Sequence, residues 1–575
     1  MNTTQTIENA YNFQYKYDLD RKKELAAVYT PETIVQFIVN DTINSYLDKY
    51  PVDIGGIKII DPACGSGLFL LYAIDYLLRK IKGNNPLSNL AKIEVVRSNI
   101  FGLDLDPNAV NECHKNIFSH ILEHPRDEEI EKLEFVLKKN IKVGNALDVQ
   151  ADLFETEQFY WESEVSGFSK ILNNGGFDIV IGNPPYRKIK KITTSQKEFF
   201  QETIYGHINL YSLFIHLGIY ILREGGFLGY INPQSMMSGL YFKNLRRFIR
   251  QHTQLHTLIA FESRTEIFKK VLQSVMIEIL EKIKLKSKPE YTVSVGKYYD
   301  LRDFIDNYKQ RLFEARLNEV FPQINGYSLL CIGTNKIDYQ IFRKYFYARD
   351  TYPLNSDKIG CKAITGQIVW NRLKPLLSHK PNGCNLPLLK GDYIRRYGFK
   401  SKKEHIYLEI NDKTKMFIID KPVIIIGRVT ATEQRRRIIA AISKMPSPYF
   451  VENHYNIVDG KRPGVDVRYL LAVINSMLTD YIFRKINGST QVSATEINLF
   501  NIKRSDRENE IVSLVDQISN REVTPEEKMK IEEEIDEIIF GIYELFQEER
   551  DQIKDFYRSR KNRSRKNGRK LQEAD

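Results

Sequence analysis

Short apolar runs rich in β-branched residues alternate with amphipathic stretches over residues 29–283, and no other feature restricts the possible fold as strongly. Each run lies between polar or glycine-containing turns, as expected for strands that are buried on both faces. The amphipathic stretches predict helices that cover the sheet. The predicted strands are Ile57–Ile60, Ile100–Leu105, Phe177–Ile181, Phe227–Ile231, Thr257–Phe261 and Val275–Leu280. This half of the chain therefore predicts a doubly wound, mostly parallel α/β sheet.

The pattern changes beyond residue 284, where irregular stretches are rich in Tyr, Arg and Lys. Short strands such as Pro422–Ile426 and helical patterns at Val467–Ile486 and Pro525–Arg560 predict a mixed α+β second domain that begins between residues 285 and 330. The basic block near the C-terminus predicts a solvated or disordered tail. The resulting division is an N-terminal extension (1–26), an α/β domain (27–284), a second domain (285–550) and a basic tail (551–575).

Composition narrows the class of protein. A chain of 575 residues with 42% apolar and 27% charged residues fits a globular protein of two or three domains. No apolar run approaches the ~20 residues of a membrane span, and the N-terminus does not resemble a signal peptide, so a cytoplasmic protein is expected. The five cysteines form no C-x-x-C pair, which argues against disulfides and a structural metal site. A net charge of +11 favours a polyanionic partner.

A turn of small residues follows the first predicted strand in the sequence I-I-D-P-A-C-G-S-G-L-F-L, residues 59–70. Such a turn lies at the carboxyl end of the sheet, where α/β proteins bind ligands. The next strand ends at Asp104, an acid that could hold a ribose diol. A nicotinamide cofactor would fit this unit equally well. However, the G-x-G-x-x-G fingerprint is missing, and Asp61 would repel a phosphate but would suit a cationic group.

The tetrapeptide Asn183-Pro184-Pro185-Tyr186 ends another buried strand. Because proline fixes φ and has no N–H, the Asn183 side chain and the neighbouring carbonyls are expected to face the cleft in a preset geometry. The Asn183 side-chain oxygen and the Pro184 carbonyl could accept both hydrogens of an aromatic amine and localise its lone pair. Tyr186 could stack on the ring of that substrate. Transfer to such an amine requires mainly orientation, so neither a metal nor a covalent intermediate is expected.

These segments carry a family resemblance. D-P-A-C-G-S-G-x-F-L resembles the first motif of S-adenosylmethionine-dependent methyltransferases, and D-I-V-I-G-N-P-P-Y resembles the fourth motif of amino-methyltransferases. The segments A-V-Y-T-P-E (27–32), N-L-Y-S-L-F (209–214), E-G-G-F-L (224–228) and I-F-K-K-V (267–271) narrow the resemblance to the gamma-class, Taq-type adenine-N6 DNA methyltransferases of type II restriction-modification systems. The resemblance covers residues 27–283.

The resemblance implies a Rossmann-like methyltransferase sheet followed by a DNA-recognition domain. It also implies methyl transfer from S-adenosylmethionine to N6 of an adenine that is flipped out of duplex DNA. Methylation at a short specific site would protect that site from a cognate restriction endonuclease, which is a functional and not necessarily a physical partner. A palindrome such as ATCGAT is the expected type of site.

Residue roles follow from the resemblance. Thr30 would contact the methionine carboxylate, Asp61 its amino group and Asp104 the ribose hydroxyls. Leu105 and Phe214 would sandwich the cofactor adenine. The complete implied set of cofactor-binding residues is Thr30, Asp61, Ala63, Gly65, Gly67, Asp104, Leu105, Asn145, Ala146, Pro185 and Phe214.

The sequence departs from the family at Asn145, where an aspartate often reads the amine of the cofactor adenine. Asp148 is an alternative candidate for that contact. For the target adenine, the resemblance implies a clamp between Tyr186 and Phe268. The expected DNA contacts of the second domain are the basic residues Arg395, Arg396, Arg428, Arg435 and Arg436.

Alternatives to adenine methylation remain. Cytosine-N4 methylases use a related tetrapeptide, usually with Ser in place of Asn183. Glutamine or RNA amino-methyltransferases share the motif, but a release-factor methylase lacks a large basic second domain. Some relatives fuse a nuclease to the methylase; only about 26 residues precede Ala27, so modification without cleavage is expected. Cytosine-C5 methylation would need a Pro-Cys pair, which the sequence does not contain.

Overall fold

The computed structural model describes residues 30–82, 86–149, 159–263, 274–284, 290–400, 406–430, 434–445, 447–460, 464–520 and 523–566. The chain divides into two compact units. Unit 1 comprises residues 1–237 and 241–321, and unit 2 comprises residues 238–240 and 322–575. Among the described residues, none of the helices has the length and apolar character needed to cross a membrane.

The helices of unit 1 are α1 (Glu32–Lys49), α2 (Leu68–Lys82), α3 (Asn89–Asn99), α4 (Pro107–Ile121), α5 (Asp127–Asn140), α6 (Ser169–Asn173), α7 (Thr194–Phe199), α8 (Leu210–Ile221), α9 (Lys243–His252), α10 (Leu301–Arg311) and α11 (Leu317–Val320). Its strands are β1 (Ile59–Asp61), β2 (Ile100–Asp104), β3 (Ile141–Val143), β4 (Phe177–Gly182), β5 (Lys188–Ile189), β6 (Ile208–Asn209), β7 (Leu222–Pro233), β8 (Thr253–Phe261), β9 (Val275–Lys282), β10 (Thr292–Tyr298) and β11 (Phe313–Arg316).

The helices of unit 2 are α12 (Lys336–Tyr347), α13 (Val467–Asn475), α14 (Met477–Ile486), α15 (Ala494–Ile497), α16 (Glu508–Asn520), α17 (Pro525–Ile542) and α18 (Gln547–Lys566). Its strands are β12 (Gln323–Ile324), β13 (Tyr327–Ser328), β14 (Thr351–Pro353), β15 (Lys362–Thr365), β16 (Leu377–Ser378), β17 (Asn385–Leu389), β18 (Ile394–Arg395), β19 (Gly398–Phe399), β20 (Ile406–Glu409), β21 (Ile424–Gly427), β22 (Ala440–Ile442), β23 (Phe450–Val451), β24 (Tyr455–Asp459) and β25 (Asn501–Lys503).

Unit 1 is built on a nine-stranded sheet in the order β11-β10-β8-β9-β7-β4-β1-β2-β3. Strands β3, β2, β1, β4 and β7 run parallel. Strand β9 is antiparallel to both of its neighbours, and β10 runs parallel to β8. Strands β1 and β4 are buried along their whole length. The strand order reverses between β1 and β4, because β2 and β3 lie on one side of β1 and β4 and β7 lie on the other. Doubly wound folds bind their ligands in the crevice at such a point. The predicted α/β fold is confirmed.

Local sequence signals set the helix starts next to this crevice. Asp106 caps α4 because its Oδ1 accepts the N–H of Asn108 at 2.8 Å, and Pro107 occupies the first helical position. The Tyr46 hydroxyl of α1 donates to Oδ1 of Asp178 at 2.6 Å. Asp178 Oδ2 accepts the Lys58 N–H at 2.7 Å. These bonds join α1, the start of β1 and the start of β4 in one core.

All six strands predicted in unit 1 are present, but the predicted domain boundary differs from the structure. The sheet does not end at residue 284, because β10 and β11 extend it and residues up to Phe321 belong to unit 1. Strand β10 alternates exposed and buried positions in its first half, as is typical of a strand near a sheet edge, so it lacks the continuous apolar run of the inner strands.

Unit 2 contains two four-stranded sheets, β15-β24-β21-β22 and β16-β20-β17-β23, and a set of helices. The predicted mixed α+β character of the second domain is therefore observed. The predicted basic tail at 551–575 is wrong for its first part. Helix α18 continues to Lys566, and Ile553 and Tyr557 are buried, because apolar residues at helical spacing dock this helix despite its charge. Residues 567–575 and 1–29 lie outside the described residues.

Candidate active site

A cavity of about 390 Å³ opens in unit 1 beside the carboxyl ends of β1, β2 and β4. Its volume falls within the range of small-molecule and cofactor sites. The residues predicted from sequence that line it are Thr30, Asp61, Ala63, Gly65, Asp104, Leu105, Asn145, Ala146, Asn183, Pro185 and Phe214. Gly67, Pro184 and Tyr186 are not part of its lining, and Phe268 lies outside the described residues.

The glycine turn brings the backbone to the cavity wall. The Gly65 N–H donates to Oδ2 of Asp104 at 2.8 Å, so the turn after β1 is tied to the end of β2. The Asp106 N–H donates to the other oxygen of Asp104 at 2.9 Å. Both bonds fix the orientation of this carboxylate at the cavity, and burial raises its pKa. Asp104 is therefore a preset acceptor for hydroxyl groups.

Gly67 acts through packing. It has a φ of +88°, and a Cβ at this position would lie 2.5 Å from the Sγ of Cys113 on α4. A larger residue would push α4 away from the turn. The structure thus explains the second glycine of the motif without a ligand contact.

Asp61 is the most enclosed acid of the cavity, with 1% of its surface exposed. Its Oδ1 accepts the Ala63 N–H at 2.9 Å. Burial and the nearby Asp104 charge raise its pKa to about 8. Gly182 makes this arrangement possible: its φ is +152°, and a Cβ there would lie 2.7 Å from Asp61 Oδ1. The last residue of β4 must therefore be glycine for Asp61 and Asn183 to lie side by side.

Asn183 is oriented by a residue distant in sequence. Its Nδ2 donates to the hydroxyl of Thr30 at 2.9 Å, and Thr30 is buried just before α1. Thr30 thus binds the NH2 group of the Asn183 amide, and the amide oxygen lies on the opposite side from this hydrogen bond. This orientation is compatible with the predicted role of Asn183 Oδ1 as a hydrogen-bond acceptor, which stays a prediction.

Tyr186 is anchored next to the cavity. Its hydroxyl donates to the Ile231 carbonyl of β7 at 2.9 Å, and its ring meets Tyr211 edge to face at a centroid distance of 6.2 Å. Burial raises the pKa of its hydroxyl well above the usual range. A ring fixed at both its hydroxyl and its edge can present one defined face to a planar substrate.

Asn145 and Asp148, the two candidates for the contact with the cofactor adenine, differ in their position relative to the cavity. Asn145 lines the cavity, whereas Asp148 lies behind it and accepts the Asn145 Nδ2 at 2.8 Å. The side-chain amide of Gln196 also reaches Asp148 Oδ1, at 3.2 Å. Asp148 therefore positions Asn145, which is the residue that can face a ligand.

Sequence reasoning missed the segment that follows the tetrapeptide. Arg187, Ile189 and Gln196 line the cavity, together with Leu210 at the start of α8. These residue types do not indicate a particular chemistry. The only signal in the sequence is that the segment directly follows Asn183–Tyr186. The other lining residues that were not predicted come from the known motifs and include Cys64, Leu68 and Phe69.

Two of the arginines predicted to contact DNA are instead buried structural residues of unit 2. Arg396 pairs with Glu532 at 2.5 Å, and Arg436 pairs with Asp536 at 2.9 Å. Acids on α17 neutralise both, so neither is available to a phosphate without breaking a buried pair.

The remaining three predicted arginines differ from these. Arg428 is half-buried and donates to the Asn453 carbonyl at 3.1 Å and to Gln491 at 3.3 Å. Arg395 is exposed and Arg435 is half-buried, and within the described part of the chain neither side chain forms an ion pair. Arg395 and Arg435 remain candidates for DNA contact.

Comparison with known proteins shows what this part of the chain is similar to. Residues 98–268 match the family model of the Eco57I restriction-modification methylase. The Type II restriction enzyme and methyltransferase RM.Eco57I of Escherichia coli is 31% identical over 268 residues, which are 42% of this chain and 26% of that protein. The chain thus spans about a quarter of the length of that relative. The Type II methyltransferase M.BsuBI of Bacillus subtilis is 26% identical over 83% of this chain and 87% of that protein.

The fold has a solved counterpart. The Type IIL restriction-modification enzyme MmeI, solved in complex with DNA, aligns with a TM-score of 0.55 at 12% sequence identity. The alignment covers 94% of this chain and 79% of the MmeI chain, and at this identity it shows the fold alone. The family match, the two curated relatives and a cavity lined by the expected motifs agree with the predicted resemblance and with S-adenosylmethionine as the cofactor. The chain is thus similar, over part or most of its length, to methyltransferases of type II restriction-modification systems.

Proposed function

We propose that this protein transfers a methyl group from S-adenosylmethionine to N6 of an adenine flipped out of duplex DNA at a specific site. The observation that carries this proposal is the placement of Asn183, which Thr30 orients between the buried Asp61 and the anchored Tyr186. Methylation would protect the site from a cognate restriction endonuclease.

The residues present fit the cofactor. Asp61 offers a buried carboxylate for an ammonium group, and Asp104 offers an oriented carboxylate for a diol. Leu105, which is 58% exposed, and the buried Phe214 supply apolar surface for a purine ring, and Asn145 supplies a polar edge. When bound, the cofactor supplies an electrophilic methyl group on a sulfonium, which becomes a neutral thioether when that methyl group leaves.

The tetrapeptide fits an amine acceptor. An aromatic amine is a weak nucleophile because its lone pair is delocalised into the ring. Asn183 Oδ1 and the Pro184 carbonyl would accept its two hydrogens, which localises the lone pair and orients it for in-line attack. The new N–C bond forms as the S–C bond breaks, and the nitrogen then releases one proton. The ring of Tyr186 would hold the base in plane.

Adenine is favoured over cytosine because cytosine-N4 enzymes usually carry Ser at the position of Asn183. Duplex DNA is favoured as the substrate because the MmeI fold, solved with DNA, extends over both units of this chain. A nuclease activity is not part of the proposal, since M.BsuBI, which aligns over most of its length, is named a methyltransferase.

The test is a methylation assay on duplex DNA with isotopically labelled S-adenosylmethionine, followed by mass spectrometry of the nucleosides. Label in N6-methyladenine supports the proposal, and sequencing of the modified DNA then maps the recognition site. Label in N4-methylcytosine would correct the base. Transfer only to a protein or RNA, with unlabelled DNA, would overturn the proposal.

The raised pKa of Asp61 predicts a pH dependence of cofactor affinity. An ammonium group binds the ionised carboxylate, and Asp61 with a pKa of about 8 is largely protonated at pH 6. Affinity should therefore rise with pH up to 8, by at most about tenfold per pH unit, and level off above 8. Calorimetric titration with S-adenosylhomocysteine between pH 6 and 9 measures this. Asp61→Asn has a similar shape and cannot ionise, so its affinity should stay flat; the same slope in both proteins would contradict the assignment.

A further inference from the structure

The segment that follows the tetrapeptide forms a closed loop, here called the flap, comprising residues 187–209. Strands β5 and β6 pair in antiparallel register at its base, Lys188 with Asn209 and Ile189 with Ile208. The Leu210 N–H donates to the Arg187 carbonyl at 2.8 Å and closes the loop. The flap thus begins directly after Tyr186 and ends directly before α8, which carries Phe214. Both of its ends are fixed to the active site.

The inner side of the flap forms part of the cofactor cavity. Arg187, Ile189 and Gln196 line that cavity. The Gln196 Nε2 donates to the Leu147 carbonyl and to Asp148 Oδ1, each at 3.2 Å. Since Asp148 in turn holds Asn145, Gln196 connects the flap to the residue that faces the cofactor. Helix α7, which carries Gln196, has no buried residue, and its Phe199 ring meets the ring of Tyr220 on α8 at a centroid distance of 4.8 Å.

The outer side of the flap is cationic. Lys188, Lys190 and Lys191 are exposed, and within the residues that the structure describes none of the three forms an ion pair. Some other lysines of unit 1 do pair with acids, as Lys92 does with Glu123 at 2.8 Å. Three neighbouring lysines without acids attract a polyanion, and phosphates that replace their counterions contribute a salt-dependent binding energy.

We propose that Lys188, Lys190 and Lys191 contact the phosphates of the substrate DNA and that this contact holds the flap over the cofactor. DNA and cofactor then strengthen each other's binding through Gln196. This inference rests on the proposed function, because it takes DNA as the substrate. The two effects are linked thermodynamically. If bound DNA stabilises the closed flap and so raises the affinity for the cofactor by some factor, then bound cofactor must raise the affinity for DNA by the same factor.

The experiment uses the full chain and measures two quantities. The first is the dependence of duplex DNA affinity on salt concentration, measured by fluorescence anisotropy. The second is the affinity for S-adenosylhomocysteine with and without saturating duplex DNA, measured by calorimetry. In the unchanged protein, DNA should raise that affinity about fivefold or more.

The variant K188A/K190A/K191A should lower the slope of log affinity against log salt by roughly 2 to 3, since each phosphate contact contributes about 0.9. It should also lose the DNA-induced gain in S-adenosylhomocysteine affinity, while its affinity without DNA stays unchanged and shows that the cavity is intact. K188R/K190R/K191R should restore both quantities. The matched control K132A/K138A/K139A removes three exposed charges from α5 and should retain both.

Gln196→Ala distinguishes the role of the inner side of the flap from that of the lysines on its outer side. It should keep the salt dependence of DNA binding and lose the coupling between DNA and cofactor. The inference is overturned if the triple-alanine variant retains the salt slope of the control, or if neither it nor Gln196→Ala weakens the coupling. Failure of the unchanged protein to methylate DNA would instead overturn the proposed function, so the two failures are distinguishable.

Discussion

Asn183→Ala is expected to lower kcat for methyl transfer by about 10²- to 10³-fold, the range found when one preorganised hydrogen-bonding group is removed from an active site. The variant loses the acceptor that localises the amine lone pair, whereas the carboxylates of Asp61 and Asp104 remain in place. Affinity for S-adenosylhomocysteine should therefore change little. Single-turnover assays with labelled cofactor give the rate, and calorimetry gives the affinity.

Two further variants test whether the loss of activity is due to the side chain of Asn183. Asn183→Asp keeps an oxygen at the acceptor position but replaces the amide donor that binds Thr30, so it should lose activity through misorientation. Asn173→Ala changes an exposed asparagine at the end of α6 and should behave as the unchanged protein. An Asn183→Ala enzyme that retained more than about a tenth of the rate would show that the Pro184 carbonyl suffices and that Asn183 is not the main acceptor.

Arg436→Ala is expected to destabilise unit 2 by about 3–5 kcal/mol, because removal of one partner leaves the other charge buried and unpaired. Asp536, the partner left behind, also accepts the Met477 N–H at 2.5 Å and has a pKa raised by burial. The Arg436 guanidinium in addition lies 4.6 Å from the centroid of the Tyr557 ring on α18. The substitution thus affects three helices at once.

Urea unfolding can assign this loss to unit 2, since the chain has two tryptophans and each unit contains one. In a Trp161→Phe background, fluorescence of Trp370 follows unit 2 alone. Arg395→Ala removes the same charge from an exposed site and should change stability by less than about 0.5 kcal/mol. Arg436→Met combined with Asp536→Asn should recover much of the loss. Equal stability of Arg436→Ala and Arg395→Ala would contradict the structural role of Arg436.

The basic cluster at residues 435–437 shows why buried and exposed arginines must be distinguished in tests of DNA binding. Arg437 is almost fully buried, and its guanidinium donates to Asn487 at 2.8 Å and to the Ser489 carbonyl at 2.7 Å. Its backbone N–H donates to Asp480 at 2.7 Å. A DNA-binding defect in Arg436 or Arg437 variants would therefore report loss of folding. Arg395 and Arg435 are the positions at which such a defect can report a phosphate contact.

The site was largely predictable because its signals are local. A buried strand, a glycine turn and an acid at the next strand end are consecutive in sequence, and their geometry follows from backbone preferences at those residues. Eleven predicted residues line one cavity, which confirms that these segments converge at one sheet edge. The resemblance to a methyltransferase family then identified S-adenosylmethionine as the cofactor expected at that edge.

The partners of these residues were not predictable. Thr30 holds Asn183 across 153 positions, and Arg436 binds Asp536 across 100. A sequence shows that a residue is charged or polar, but its burial depends on segments that meet only in the folded chain. The addition of β10 and β11 to the sheet, the burial of Arg396 and Arg436, and the flap at the cavity are of this kind. The sequence by itself determined the strand-and-turn units and the chemistry at their ends, because these depend on neighbouring residues. Only the tertiary structure decided which side chains face ligand, solvent or core, because that depends on long-range packing.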